Sequence, residues 1–418
     1  MAHIRYLVPG VAMSCLLLGA TAVRAQAVDP VIAAAGDIAC DPAGASFNGG
    51  DGEVDRCRQR YTSDLLVGQG LAAVLALGDT QYEDGTLDQF RLSYDLSWGR
   101  VKPITRPAIG NHEYRLSPGT GYFDYFNGVG SATGPAGERG KGYYSFNVGR
   151  WHMIALNSMC DQVGGCAAGS LQEQWLRADL AANAAASCTL AYWHHPLFNS
   201  GPDGDYKDTP WNTTGLWQAL YDGGADLVLS GHAHIYQRFG PQDASGNADV
   251  LYGLREFVVG TGGKSLGNLG ATQPNLEFRD NTQFGVIKLV LHRNGYDWTF
   301  VNDAGATRDL GSASCHGAPP VGDTTPPQTS ITSGPTGTVK ATTVTFTFTS
   351  SESSSSFECR LGSTWTPCSS PKTYTGLAPG TYKFEVRATD AAGNLDSTPA
   401  TRTFKVGGTK GKASSGSA

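Results

Sequence analysis

Short apolar runs that each end in glycine or a polar residue recur along residues 28–318, and this pattern constrains the fold more than any other feature of the chain. Such runs are typical of buried strands when they are short and rich in β-branched residues. Helical patterns with capping-box residues lie between several of them, at Thr86 with Gln89 and at Ser170 with Glu173. The alternation predicts an α/β fold. The runs are VIAAAGD, AAVLALGD, HMIALNS, TLAYWHH, ADLVLSGH and EFVVGTGG.

Metal-binding residue types stand where these predicted strands end. In an open α/β sheet the carboxyl ends of the strands form the ligand crevice, so we expect these side chains to converge. Carboxylates, an amide oxygen and imidazoles suit ferric iron and borderline divalent metals better than calcium or magnesium. A glycine beside four of them lets the backbone approach the site closely. The residues are Asp37, Asp79, Asn111, His194, His232 and His234.

The first 27 residues have the pattern of a secretory signal peptide. Arg5 precedes an apolar segment, and Ala25, Gln26 and Ala27 form a small-residue cleavage site. An uncleaved membrane anchor is the alternative, but Pro9, Gly10 and Gly19 interrupt the segment. We expect a secreted or extracellular protein, with the periplasm and the cell surface as alternatives, and no membrane span elsewhere in the chain.

Removal of the signal peptide also removes Cys15 and leaves eight cysteines, an even number in an oxidising compartment. Proximity in the sequence suggests three disulfides, and a fourth follows by elimination, although eight cysteines allow 105 connectivities. The expected pairs are Cys40–Cys57, Cys160–Cys166, Cys359–Cys368 and Cys188–Cys315.

The net charge of −6, from 31 basic and 37 acidic residues, leaves no basic stripe of the kind that neutralises phosphates in nucleic-acid binders. We therefore expect no nucleic acid as a structural partner.

A composition change near residue 320 predicts a second domain. Residues 319–327 have the Gly, Pro and Thr content of a linker, and residues 328–407 contain strictly alternating runs such as TVTFTFTS. The segments FECRL and APGTYKFEVRATDAAGN resemble small immunoglobulin-like or fibronectin-like sandwiches of secreted bacterial enzymes. Residues 408–418 are expected to be a disordered tail. We assign this module no chemistry, and its candidate ligands are a surface, a polysaccharide or a protein.

The blocks GD, GDxxY, GNHE, HxP and GHxH follow one another between residues 31 and 263. In this order they resemble the calcineurin-like metallophosphoesterases, and among these the purple acid phosphatases. The resemblance implies a four-layer α/β/β/α sandwich, two stacked mixed sheets flanked by helices, with two metals at one edge.

The resemblance also implies the metal ligands. Most metallophosphoesterases carry a histidine at the position of Ala39, whereas Tyr82, three residues after Asp79, matches the tyrosine of the purple acid phosphatases. A phenolate favours ferric iron, so the expected metals are ferric iron and divalent zinc, manganese or iron. The implied ligands are Asp37, Tyr82 and His234 on the first metal, Asn111, His194 and His232 on the second, and Asp79 on both.

The implied reaction is hydrolysis of small phosphate monoesters by a hydroxide held between the two metals. His112 is expected to bind the phosphate and to protonate the leaving group. His195 occupies the variable position of HxP and either orients a ligand, faces the substrate or is simply packed. Glu113 is expected to orient its neighbours.

Two other functions stay open. The loop after HxP lacks the further histidines of plant purple acid phosphatases, so a phosphodiesterase or nucleotidase with the same two-metal core is an alternative. The other is a surface-binding protein with a vestigial metal site. Relative turnover of monoesters and diesters distinguishes the phosphomonoesterase from the phosphodiesterase. Metal analysis of the purified protein tests the surface-binding alternative.

Overall fold

The computed structural model describes residues 29–318, 326–352, 355–390 and 394–408. The signal peptide predicted for residues 1–27 lies outside the described residues, as do residues 319–325 of the predicted linker and 409–418 of the predicted tail. The chain divides into two compact units, one formed by the residues up to Leu216 with Asp226–His316, the other by Trp217–Ala225 with the residues from Gly317 on. The finer domain bounds given above stay predictions.

The first unit contains two large sheets and short helices. Its strands are β1 Val31–Ala35, β2 Ala73–Leu77, β3 Thr105–Ala108, β4 Thr133–Gly134, β5 Gly137–Glu138, β6 Tyr144–Val148, β7 Trp151–Ala155, β8 Cys188–Tyr192, β9 Leu227–Ser230, β10 Tyr236–Phe239, β11 Arg255–Val259, β12 Leu276–Asp280, β13 Gly285–His292, β14 Gly295–Asn302 and β15 Thr307–Ser314. The α-helices are α1 Gln59–Asp64, α2 Leu87–Gln89, α3 Thr120–Asn127, α4 Leu171–Ala182 and α5 Thr214–Asp222, of which α5 ends in the second unit. Short stretches of 3-10 or π-helix occupy Ala45–Gly50, Phe90–Tyr94, Trp98–Ile104, Glu113–Arg115, Cys160–Gln162 and Tyr206–Asp208.

The two predicted capping boxes differ in the structure. At α2 the box is complete, because the Thr86 side chain accepts from Gln89 N and the Gln89 side chain accepts from the backbone N–H of Thr86. At α4 the Ser170 side chain accepts from Glu173 N, but the Glu173 carboxylate accepts from Gly169 N at 2.9 Å instead. Both arrangements satisfy N–H groups that a helix start leaves unpaired.

Both large sheets are mixed. The six-stranded sheet has the order β15-β14-β13-β1-β2-β3, in which β1, β2 and β3 are parallel and β13 is antiparallel to β1. The seven-stranded sheet has the order β12-β10-β11-β9-β8-β7-β6, in which β7, β8, β9 and β11 are parallel. The parallel strands therefore end at a common edge within each sheet.

One apolar core joins the inner faces of the two sheets. It includes Ile32 and Leu75 from the first sheet and Leu190 and Leu229 from the second, all fully buried. Each such side chain contributes about 1.5–3 kcal/mol to folding. Across the interface the rings of Tyr236 and Phe300 stack with centroids 4.0 Å apart. The mixed α/β fold expected from the sequence is confirmed.

The second unit is rich in sheet. Its strands are β16 Thr329–Ser333, β17 Gly337–Val339, β18 Val344–Ser350, β19 Ser356–Arg360, β20 Thr366–Cys368, β21 Lys372–Tyr374, β22 Gly380–Thr389 and β23 Ala400–Val406. They form a three-stranded sheet, β16-β18-β21, and a five-stranded sheet, β17-β23-β22-β19-β20. The alternation in β18 places Val344, Phe346 and Phe348 in the core, where Phe346 stacks on Phe384 at 3.9 Å. The immunoglobulin-like classification of this unit stays a prediction.

All four predicted disulfides are present. Cys188–Cys315 spans 127 residues and ties the start of β8 to the residue that follows β15, in the two different sheets of the first unit. Among the residues that the structure describes, no helix has both the length and the hydropathy that crossing a bilayer requires.

We expect Cys188–Cys315 to be the most stabilising disulfide of the first unit. The loss of loop-closure entropy in the unfolded chain grows with loop length, so a 127-residue separation predicts about 5 kcal/mol and a 6-residue separation about 2 kcal/mol. Urea unfolding of a Cys188→Ala/Cys315→Ala variant should show the larger loss. The control is Cys160→Ala/Cys166→Ala, and equal losses in the two variants would contradict the prediction.

Candidate metal centre

Three of the predicted ligands have strained backbones where strands end. Asp37 and Asp79 follow β1 and β2 after one glycine each, and His232 follows β9 in the same way. Their φ angles are 61°, 45° and 62°, in the left-handed region that non-glycine residues rarely adopt. Such conformations cost about 1–3 kcal/mol each and cluster at functional sites.

Glycine is required at two of the neighbouring positions. A Cβ on Gly110 would lie 2.3 Å from Asp79 Oδ1, and a Cβ on Gly231 would lie 2.9 Å from Asp37 Oδ2. Any larger residue would therefore displace a carboxylate. This explains physically why the sequence places glycines beside the polar residues at the strand ends.

Backbone N–H groups orient the two carboxylates. His232 N donates to Asp37 Oδ2 at 2.7 Å, and His112 N donates to Asp79 Oδ1 at 2.9 Å. One oxygen of each carboxylate is thus held by the backbone. The other oxygen, Asp37 Oδ1 or Asp79 Oδ2, faces the remaining predicted ligands.

The buried side chain of Glu113 fixes the loop that carries Asp79. Its carboxylate accepts from the backbone N–H groups of Asp79 at 3.1 Å, Thr80 at 2.6 Å, Gln81 at 3.2 Å and Gly110 at 2.8 Å. Burial, with the nearby charge of Asp79, raises the pKa of Glu113 to about 7, although these hydrogen bonds oppose the shift. Glu113 orients its neighbours, in agreement with the expectation from the sequence.

A first group of electron-rich atoms surrounds Tyr82. Its Oη lies 2.7 Å from Asp37 Oδ1, 3.0 Å from Asp79 Oδ2 and 3.1 Å from His234 Nε2. His234 Nε2 is also 3.1 Å from Asp37 Oδ1. We call these four atoms the first donor cluster.

A second group surrounds His194 Nε2. This atom lies 3.1 Å from Asn111 Oδ1, 3.2 Å from His232 Nδ1 and 3.3 Å from Asp79 Oδ2. These four atoms form the second donor cluster. The two clusters share a single atom, Asp79 Oδ2.

The hydrogen-bonding capacity of the clusters fits two cations. His194 Nδ1 donates to Leu77 O at 2.8 Å, so Nε2 faces the oxygens of Asn111 and Asp79 and offers a lone pair there once a cation displaces its proton. Tyr82 has one hydroxyl hydrogen for two neighbouring carboxylate oxygens, with His234 Nε2 as a third neighbour. Lone pairs that face one another in a buried site repel, and a bound cation turns that repulsion into attraction.

The pKa values show how strongly the buried charges interact. Burial raises the pKa of the Tyr82 phenol, and the negative charges of Asp37 and Asp79 raise it further, so a cation is needed to form the phenolate at neutral pH. Burial lowers the pKa of His194, but the charge of Asp79 outweighs it and raises the value to about 9. Burial beside His194 lowers the pKa of His232 to about 4, so this ring is a neutral ligand donor at pH 7.

His112 lies beside the first donor cluster. Its Nδ1 donates to Glu83 O at 2.6 Å, and its ring centroid is 4.2 Å from that of Tyr82. Its Nε2 is 3.8 Å from Asp79 Oδ2 and accepts from the Arg115 guanidinium at 3.4 Å. The structure therefore brings His112 together with the predicted ligands.

His195 and two serines complete the surroundings. The His195 ring is 4.8 Å from that of His194 and 4.3 Å from that of His232. Sequence reasoning missed Ser265, whose Oγ is 3.0 Å from His234 Nδ1, and Ser158, whose Oγ is 2.9 Å from His195 Nδ1. The one usable signal for Ser265 was its position after β11, a parallel strand that ends at the same edge.

Comparisons with known proteins indicate the family and the fold of the first unit. The profile of the calcineurin-like phosphoesterase family matches residues 31–236. Over 287 residues the chain is 29% identical to the probable purple acid phosphatase 20 of Arabidopsis thaliana, covering 57% of this chain and 65% of that protein. Over 190 residues it is 30% identical to an uncharacterised protein of Mycobacterium tuberculosis, covering 38% of this chain and 35% of that protein.

Purple acid phosphatase 15 of Arabidopsis thaliana is 29% identical over 150 residues, 34% of this chain and 27% of that protein, so the chain spans only part of its curated relatives. The structure of the purple acid phosphatase from yellow lupin (Lupinus luteus) seeds shares the fold, with a TM-score of 0.56 at 19% identity over 70% of this chain and 55% of the other. Residues 31–236 are therefore a calcineurin-like phosphoesterase domain, and within that family the chain resembles the purple acid phosphatases.

Proposed function

We propose that this chain hydrolyses small phosphate monoesters with two cations held by the two donor clusters. The observation that carries the proposal is the sharing of Asp79 Oδ2 by two groups of buried lone-pair donors that face one another. Such a pair of adjacent cation sites is the arrangement used for in-line displacement at phosphorus. The family match to residues 31–236 supports the same reaction class.

Each protein group has a defined task in this proposal. Asp37, Tyr82 and His234 hold the first cation, Asn111, His194 and His232 hold the second, and Asp79 holds both. Bound there, the cations would supply a water of lowered pKa as the nucleophile and positive charge for the phosphoryl oxygens. Tyr82 makes ferric iron the expected first metal, because a phenolate is a hard, charged oxygen donor.

His112 is proposed to bind the phosphoryl group and to protonate the leaving alkoxide. Glu83 O fixes the hydrogen on Nδ1, which leaves Nε2 as the nitrogen that exchanges a proton. The Tyr82 ring holds the imidazole on one face. General acid catalysis of this kind contributes about 100- to 10,000-fold to the rate.

Export of the protein is part of the proposal. Four disulfides within the described residues support an oxidising compartment, where such bonds persist. The signal-peptide pattern of residues 1–27 points to the same compartment. We therefore propose that the enzyme acts on phosphorylated compounds outside the cytoplasm.

The activity is tested with p-nitrophenyl phosphate and bis-p-nitrophenyl phosphate. We expect a higher specificity constant for the monoester and a loss of more than about 1000-fold in Asp79→Ala, because that change removes the oxygen shared by both cations. Metal analysis of the variant should show reduced metal content. The matched control is Asp179→Ala, which changes a carboxylate that contacts Ser145 and His152 instead.

A higher specificity constant for the diester would replace the monoesterase proposal with a phosphodiesterase. Wild-type protein that binds metal but hydrolyses neither ester would contradict the proposed activity altogether.

Tyr82→Phe should remove a visible charge-transfer band and lower the iron content, because the phenolate is proposed to be a ligand of ferric iron. Absorption spectra and metal analysis of the purified protein check this. Tyr122→Phe is the control, since that phenol is buried and donates to Pro107 O at 3.0 Å, away from both clusters. A colourless, active wild-type protein whose metal content is unchanged in Tyr82→Phe would refute the ferric assignment.

His112→Gln should slow alkyl phosphates more than aryl phosphates, because poor leaving groups depend most on protonation. We expect a decrease of about 100-fold or more in kcat for an alkyl phosphate and a smaller decrease for p-nitrophenyl phosphate. Steady-state kinetics of the two substrates provide the measurement. An equal decrease for both would show that His112 binds or positions and does not protonate.

A further inference from the structure

The His195 imidazole is buried with one nitrogen unpaired. The residue is 0% exposed, and its Nε2 has no hydrogen-bond partner among the described residues. A buried donor or acceptor that stays unpaired costs about 1–3 kcal/mol, an appreciable part of the net stability of a domain. The position therefore calls for a partner that the described part of the chain does not provide.

The contacts of Ser158 indicate which kind of partner is missing. Ser158 Oγ accepts from His195 N at 3.0 Å and lies 2.9 Å from His195 Nδ1. If the serine hydrogen is given to Nδ1, both of these groups are satisfied and the ring hydrogen resides on Nε2. The missing partner is then a hydrogen-bond acceptor.

The surroundings place the His195 ring beside the second donor cluster. One ring nitrogen from each of His194, His195 and His232 lies within 4.8 Å of the others. The Trp211 ring covers one face of His195, stacked at 4.4 Å with an interplanar angle of 10°. His195 is thus held rigidly next to two of the proposed ligands of the second cation.

The loop that follows offers no competing cationic donor. Lys207 is the one basic residue in positions 196–216 of the sequence. Its Nζ donates to Ser245 O at 2.8 Å and lies 4.4 Å from the Phe198 ring centroid. No lysine or arginine side chain of this loop therefore competes with His195 for an anionic ligand.

We propose that His195 Nε2 donates a hydrogen bond to an oxygen of the phosphoryl group bound at the second donor cluster, in both the substrate and the product phosphate. This inference rests on the proposed function and adds a substrate-binding residue to it. His195 is then a phosphate-binding residue and not a metal ligand.

Three substitutions separate binding from packing. His195→Phe keeps a ring between Trp211 and His232 but removes both nitrogens. His195→Gln places an amide nitrogen near the position of Nε2, whereas His195→Asn places polar atoms near that of Nδ1. The measurement is the Kd of orthophosphate, by titration calorimetry of metal-loaded protein whose metal content has been determined.

We expect His195→Phe to weaken orthophosphate binding by roughly 10- to 100-fold, the usual effect of losing one hydrogen bond to a charged oxygen. Metal content should not change, and His195→Gln should bind orthophosphate more tightly than His195→Asn. His292→Gln is the control, because His292 is half exposed and bonded to Asp29 and Asp297. The His292→Gln variant should bind orthophosphate with the same Kd as the wild type.

Wild-type affinity in His195→Phe would overturn the inference, since packing alone would then explain the buried ring. Loss of metal in His195→Phe would also overturn it, because His195 would then hold or position the metal. If His195→Phe does not fold, the comparison of the orthophosphate Kd values of His195→Gln and His195→Asn decides the question, and equal values would overturn the inference. Failure of the wild type to bind orthophosphate or to hydrolyse either ester would instead refute the proposed function.

Discussion

The structure around the candidate centre depends on one buried oxygen, Asp79 Oδ2, which belongs to both donor clusters. Hydrogen bonds to the other atoms of Asp79 and to the loop that carries it fix the position of this oxygen. His112 N holds the other carboxylate oxygen, Glu113 holds the backbone, and Gly110 leaves the space. Each of these three neighbours comes from the GNHE block, so one short segment of the chain positions the atom that joins the two sites.

Gathering electron-rich atoms in a buried site costs free energy, and so do the left-handed backbones of Asp37, Asp79 and His232. The two-sheet core supplies the opposing stability, with the Cys188–Cys315 disulfide linking β8 to the end of β15. In the proposed function, cation binding would recover part of the cost, because it would replace lone-pair repulsion by coordination. The stability of the scaffold thus offsets the local free-energy cost of the centre, and a ligand that binds there would stabilise the folded protein further.

The proposed roles divide the centre into two sides. Tyr82 and His112 pack on the side of the first cluster, where the leaving group is expected to be protonated. His195 and Trp211 pack on the side of the second cluster, where a phosphoryl oxygen is expected to be held. In the two proposals together, the substrate lies across the shared oxygen, with the leaving group on the side of His112 and the phosphoryl oxygens on the side of His195.

The amino-acid sequence by itself predicted three disulfides from proximity and the fourth by elimination. It also determined the α/β fold and the residues that meet at the strand ends. These follow from local patterns, because an apolar run, a glycine and a metal-binding side chain stand next to one another in the chain. Tertiary structure alone decided which oxygen is shared, that Ser265 supports His234, and that His195 Nε2 stays unpaired beside Ser158. Most of those contacts join residues dozens of positions apart. The distance between two such side chains depends on how the sheets pack, and the local sequence does not specify that packing.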